Sequence, residues 1–197
     1  MMFLKTITLE HTPPSHSVHI SLFRNIKNAT FLLEQLRSGN VEYEYALLDA
    51  RVILSSVHLL SACFRAIHCN INNRLRTRNI HSEVVYALSP RNNITTAFVN
   101  FGITDQTRDL IIVKVGDLTL HDSIKDHLSK IIEGDAETFS DDTLANITDW
   151  TRVHKLYSVM EKRQLQKLRN NGDLNTAEKT EIELLILGAM ALKSATN

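Results

Sequence analysis

Residues 74–103 change their local signal three times in quick succession, and this alternation constrains the fold more than any other feature of the chain. A cationic tract, Arg74, Arg76 and Arg78 with His81, leads into residues 83–88, where Val84, Tyr86 and Leu88 alternate with Val85 and Ala87; the spacing predicts a strand. Ser89 and Pro90 end it, because proline has no N–H to give to a ladder. Asn92 or Asn93 then offers a side-chain oxygen to the first free amides of a helix. Its apolar positions, Ile94, Ala97, Phe98 and Phe101, recur at i, i+3, i+4 and i+7, and Gly102 stands at the C′ position past its end. A strand that passes at once into a capped helix calls for a sheet with helices packed on it. The fold class expected is α/β (α+β), a single domain with a mainly antiparallel mixed sheet packed with helices and a C-terminal helical extension.

The rest of the chain supplies partners for this unit. Val18, Ile20 and Leu22 alternate as a first strand, residues 43–48 read as a second, the β-branched run 110–115 as a buried one stopped by Gly116, and residues 137–139 as an edge strand. Asn28 precedes a short helix with Phe31, Leu32, Leu33 and Leu36, which Gly39 and Asn40 close. A long helix follows with Ile53, Val57, Leu60, Phe64, Ile67 and Ile71 as one apolar stripe. Ile124, Leu128, Ile131 and Ile132 make another amphipathic helix, closed by Gly134, and residues 151–160 a further one carrying Val153, Leu156, Tyr157 and Met160. The polar run 161–179, with RNNGDLN inside it, reads as an exposed helix end plus loop. Residues 1–16, with His11, Pro13 and Pro14, read as a flexible N-terminal arm. Residues 17–197 read as one domain, since 197 residues at 43% apolar content fill one core and would leave two halves marginal.

Residues 181–193 form the second constraining element. Ile182, Leu184, Leu185, Ile186, Leu187, Ala189, Met190, Ala191 and Leu192 leave this helix almost no polar face, so its own core or a partner must cover it. Gly188, which costs roughly 1 kcal/mol in a helix relative to alanine, marks either a close contact inside the domain or a landing point for another helix.

Composition narrows the function. Lys plus Arg and Asp plus Glu are 22 each, so any affinity for nucleic acid must come from a local cluster rather than from the field of the whole molecule. Cys63 and Cys69, six apart on a helix, form neither a redox motif nor a disulfide framework. Nine histidines are scattered without an H-x-x-x-H face, no glycine-rich phosphate loop is present, and the neighbouring Asp141 and Asp142 suit a helix start better than acid/base chemistry. No nucleophile elbow supports a hydrolase. A non-enzyme with neither cofactor nor metal is expected. No run reaches the ~20 apolar residues that span a bilayer, the first residues lack a cleavable hydrophobic signal, and an intracellular site is expected. The Asn-x-Thr triplets at Asn28, Asn93 and Asn146 accordingly read as helix starts rather than glycan acceptors.

The run RTRNIHSEVVYALSPRNNITTAFVNFGI resembles the signature of the small kinase-binding subunit of the KEOPS/EKC complex, known in animals as the PRPK-binding protein (the TPRKB family). The matching features are the tract from Arg76 to Arg78, the apolar segment from Val84 to Leu88, Ser89 with Pro90, Asn92 and Asn93 with Ile94, and Phe101 before Gly102; weaker similarity runs from about Val18 to Lys193. The resemblance implies an accessory subunit that binds the complex's small atypical kinase and supports its ATPase activity. It also implies help in bringing the 3′ CCA end of tRNA to the threonylcarbamoyltransferase subunit, which makes threonylcarbamoyladenosine (t6A). Nucleus and cytoplasm are the compartments it implies, and a telomere role attributed to such complexes stays open.

Two sets of residues follow as expectations. Ile182, Leu185, Ile186, Ala189, Met190 and Lys193 are the expected kinase contact, with a charge at Met190 expected to abolish binding in a domain that stays folded. Arg74, Arg76 and Arg78, on one side of an extended segment, are the expected tRNA contact through bidentate bonds to phosphate, with Asn92 and Asn93 reading a base or sugar unless they are spent on capping. The alternatives are a solvated basic loop or, from another class, a stand-alone RNA-binding module.

Overall fold

The structure, a computed structural model, describes residues 3–170 and 174–193. Its strands are β1 (Lys5–Ile7), β2 (Ser17–Arg24), β3 (Ala46–Asp49), β4 (Leu110–Gly116) and β5 (Asp135–Glu137). Its helices are α1 (Ala29–Ser38), α2 (Ser56–Ile71), α3 (Ile80–Leu88), α4 (Ile94–Phe101), α5 (His121–Ile131), α6 (Asp141–Ala145), α7 (Trp150–Tyr157), α8 (Lys162–Arg169) and α9 (Thr176–Leu192). The centre of the expected RNNGDLN loop, Asn171, Gly172 and Asp173, lies outside the described residues, as do Met1, Met2 and residues 194–197.

All the strand pairs are antiparallel, in the order β1-β2-β4-β3, and β5 shares with β1 the edge of β2 away from β4. The register Val18↔Val115, Ile20↔Val113 and Leu22↔Ile111 puts these side chains on one face, where they meet α2, α3, α7 and α9 in the larger core. Phe23, Leu47, Leu110 and Ile112 fill the other face against Leu32 of α1 and Ile124 and Leu128 of α5. Each fully buried Val, Leu or Ile contributes about 1.5–3 kcal/mol by leaving water. The domain is therefore a sheet between two helical layers, and β2 is central enough that even His19 and Ser21 are buried.

Residues 83–88, expected as a strand, are the body of α3. The Asn79 side chain accepts from the Ser82 N–H at 2.8 Å and starts the helix. His81 and every residue from Glu83 to Leu88 are buried, so no polar face interrupts the apolar run to reveal a helical period. The α2 stripe is corrected as well. The buried face is His58, Leu59, Ala62, Cys63, Ala66 and Ile67, where small side chains let α2 lie close to α3, while Val57, Phe64 and Ile71 face outward.

Smaller shifts have local causes. Val41–Tyr43 form a 3-10 turn, so β3 starts only at Ala46. β5 sits two residues before the expected edge strand, because Asp135–Glu137 pair with β2 while Phe139 turns into the core. Lys5–Ile7, within the expected arm, pair with β2. Gly102 has φ −75° rather than a left-handed turn; its glycine is required because a Cβ there would stand 2.7 Å from the Phe98 carbonyl oxygen.

Candidate functional site

Asn72 and Asn73 end α2, with Asn73 at φ 52°, and Arg74 turns back so that its N–H donates to the Cys69 carbonyl at 2.8 Å. The next residues bend around one buried carboxylate instead of running extended. Glu83 Oε2 accepts from Arg76 N at 3.0 Å, Thr77 N at 2.9 Å and Thr77 Oγ1 at 2.7 Å. Arg74, Arg76 and Arg78 are all exposed, yet the bend splits them and corrects the expected single row. Arg78 lies over Gly39 at the C-terminal end of α1, where its Nη1 is 3.2 Å from the place a Cβ would take. Arg74 and Arg76 lie toward α2, where both act electrostatically on Cys69, and Arg76 also acts on Lys193.

Asn93 caps α4, its Oδ1 accepting from the Thr96 N–H at 2.8 Å. Asn92 Nδ2 donates to the Lys193 carbonyl at 3.1 Å and its Oδ1 accepts from the Tyr86 hydroxyl at 3.3 Å. Both asparagines are thus engaged within the chain: one starts a helix, the other ties the end of α9 to α3. Of the other triplets, Asn28 stands before α1 but turns its amide to the Ile131 carbonyl, and Asn146 follows α6, donating to the Asp142 carbonyl.

Arg78 opens onto a cleft of about 640 Å³ between α1, α3 and α4. Leu33, Leu47, Val85, Phe98 and Ile103 line it with apolar surface, and Arg37 and Arg78 share its lining with Glu34, Glu44 and Asp105. An apolar hollow with charged groups of both signs suits a ligand with flat apolar faces, and Arg37 and Arg78 are the members that could meet an anionic part of it. His81 is part of the wall: its Nε2 accepts from the Val115 N–H, and Nδ1 lies 3.5 Å from Glu44 Oε1. Burial, and secondarily the Lys114 charge, lower the His81 pKa to about 3, so the ring is neutral at pH 7 and this approach is not an ion pair. Nothing in the sequence signalled the cleft, because Arg37 and Arg78 meet only through the tertiary fold.

α9 departs from the expected contact face. Ile182, Ile186 and Met190 are at most 4% exposed and belong to the larger core, and Lys193 is also buried, its ammonium donating to the Tyr86 carbonyl and lying 3.1 Å from the centre of the Tyr86 ring. These four therefore hold the helix to its own domain. Leu185 faces out, together with Leu184 and Leu192, and Ala189 is half-buried. A Cβ at Gly188 would meet nothing within 4 Å, so the glycine is not there for a contact inside the domain. The helix starts earlier than expected, with a capping box from Asn175 and Glu178 and an ion pair from Lys167 to Glu178 at 2.6 Å. It packs against α2 through Arg65, which donates to the Met190 carbonyl, and Ser55, which donates to Glu183.

Elsewhere, His58, Tyr157 and Cys63 are titratable groups held inside the core. His58 accepts from the Leu54 N–H through Nδ1 and meets the Tyr157 hydroxyl through Nε2 at 3.0 Å; burial lowers its pKa to about 4. Tyr157 in turn donates to the Leu88 carbonyl at 2.6 Å. Burial pushes the Cys63 thiol up to about 12. Among the described residues, no three His, Cys, Asp or Glu groups come together as ligands for a metal ion.

Residues 23–194 match the family model described as kinase binding protein CGI-121. The chain is 45% identical to the EKC/KEOPS complex subunit cgi121 of Aspergillus fumigatus, over 98% of each sequence. It is 40% identical to subunit CGI121 of Coccidioides immitis over the whole of both chains, and 34% identical to cgi121 of Schizosaccharomyces pombe over 74% of this chain and 84% of that relative.

Proposed function

The chain belongs to the CGI-121 family of kinase-binding proteins, and on that premise we propose that it is an accessory, non-catalytic subunit of an EKC/KEOPS complex. In this reading it docks on the small atypical kinase of the complex and helps bring the 3′ CCA end of tRNA to the threonylcarbamoyltransferase subunit for t6A formation, in nucleus and cytoplasm.

The observation that carries the kinase contact is the outward face of α9, where Leu184, Leu185 and Leu192 are 65%, 49% and 63% exposed. Val57 and Phe64 add exposed apolar surface on α2, the helix beside it. Large apolar side chains left in water on two helices that pack together offer surface that a partner can cover. The contact is thus carried by Leu184, Leu185 and Leu192 with Gly188, while Ile182, Ile186, Met190 and Lys193 support it from beneath.

The tRNA contact is supported by Arg74, Arg76 and Arg78 and by the adjoining cleft. A single-stranded end offers few phosphates and exposes the faces of its bases, so a few arginines beside an apolar hollow suit it even on a chain of zero net charge. Binding of the complex as a whole would be raised by its other subunits through effective concentration.

The test is capture of the kinase by the purified chain. Leu184→Glu combined with Leu192→Glu is expected to abolish capture at unchanged melting temperature, and full retention would remove α9 as the contact. Kinase capture by the native chain also separates this reading from a stand-alone RNA-binding module, which needs no kinase.

A further inference from the structure

Glu83 is a charged side chain only 3% exposed, inside the segment that carries the arginines. Its Oε2 takes two successive backbone N–H groups and the Thr77 hydroxyl. Consecutive backbone N–H groups curved around an oxygen are the way proteins hold anions, and here the chain supplies its own. The bend throws the Arg76 side chain outward and sends Arg78 to the cleft instead of letting the tract follow α2.

The charges around Glu83 give a second reason for a carboxylate at this place. Arg65, Arg74 and Arg76 together with Glu83 act on Cys69, and Arg65, Arg76 and Glu83 act on Lys193. Glu83 is the negative member of a gathering of cations that would otherwise spread apart.

We propose that Glu83 is a positioning residue for RNA: its buried carboxylate folds the arginine tract into the arrangement that meets a phosphate backbone, without touching RNA itself. This rests on reading the tract as the tRNA contact.

The sign of one substitution separates positioning from plain charge. Glu83→Gln keeps the size of the side chain and one acceptor oxygen but removes the negative charge, which roughly halves the strength of the bonds that hold the bend. If Glu83 acted only through the field of the protein, the variant would bind RNA more tightly. Positioning predicts the reverse. The measurement is the affinity of the full chain for intact tRNA ending in CCA, across a salt series. About fivefold weaker binding is expected, with the slope of log K against log salt lowered by about 0.7, the value of one lost phosphate contact on a single strand. Thr77→Val, which removes the hydroxyl from the same oxygen, is expected to weaken binding in the same direction and guards against misfolding of the first variant. A core variant with matched loss of melting temperature, Ile124→Val on α5, is expected to leave affinity unchanged.

Tighter or unchanged binding in folded Glu83→Gln overturns the proposal. A parallel Arg76→Glu, Arg78→Glu variant tells the two failures apart. If that variant binds tRNA like the native chain, the RNA reading falls and Glu83 with it. If it binds weakly while Glu83→Gln does not, only the positioning role falls.

Discussion

Lys193 is an amine almost without water around it. Its ammonium rests on the Tyr86 ring and donates to the Tyr86 carbonyl, while its own carbonyl receives the Asn92 amide. Burial lowers its pKa to about 7; Arg65 and Arg76 add to that shift and Glu83 opposes it. Met190, one turn earlier, is 4% exposed among Ile182 and Ile186. A lysine there has no comparable cradle, so Met190→Lys is expected to cost the domain about 3–5 kcal/mol, read as a lowered melting temperature of the isolated chain. Among the groups that respond to acid are two buried histidines, His58 and His81. Their folded pKa values, about 4 and about 3, lie below the ordinary 6.5, so as pH falls the unfolded chain takes up protons that the folded one refuses. The contribution of these two histidines is complete above about pH 6.5 and falls toward pH 4 and then 3, by about 1.4 kcal/mol per histidine for each pH unit. Denaturant midpoints between pH 7 and 4 check this, and His58→Phe is expected to flatten the decline.

At the scale of elements, α9 and α3 are similarly apolar and differently used. α3 is covered on every side, whereas α9 turns Leu184, Leu185 and Leu192 to solvent. Acidic replacements at Leu184 and Leu192 are therefore expected to change stability by no more than about 0.5 kcal/mol each, which makes them clean probes of docking; equilibrium unfolding of the double variant checks it. The sequence signalled these helices unequally. Asn93, the stripe Ala97 and Phe101, and the stop at Gly102 made α4 readable, and the alternating Val18, Ile20 and Leu22 made β2 readable, because one face of each differs in chemistry from the other. α3 has no such difference: with Glu83 bonded inside, period two and period 3.6 predict the same residues buried. The outward stripe of α2 misled for the opposite reason, since Val57, Phe64 and Ile71 look like core while Ala62, Cys63 and Ala66 do the packing. In the site, the arginines were legible as a cluster. Their division by Glu83, and the engagement of Asn92 with α9, depend on contacts across the fold that no local pattern carries.

At the scale of the whole molecule, zero net charge means that salt response reports only the local cluster. Arg76→Glu with Arg78→Glu is expected to weaken tRNA binding and to lower its salt slope by more than one unit, by titration at several salt concentrations. The arginine tract and the end of α9 both rest on α3, at Glu83 and at Tyr86, so one helix backs both proposed interfaces.

The pairing of β2 with β4 also sets a timetable. Phe23 meets Leu110 and Ser17 meets Gly116, roughly ninety residues later, so the central ladder closes only when the intervening helices are already made. At about 5–20 residues per second, a ribosome leaves β2 waiting some 5–20 s for its main neighbour. During that interval Val18 and Ile20 have one flank with no strand to pair with and Leu22 has no partner on either flank, so the nascent chain is at its most adhesive before β4 emerges.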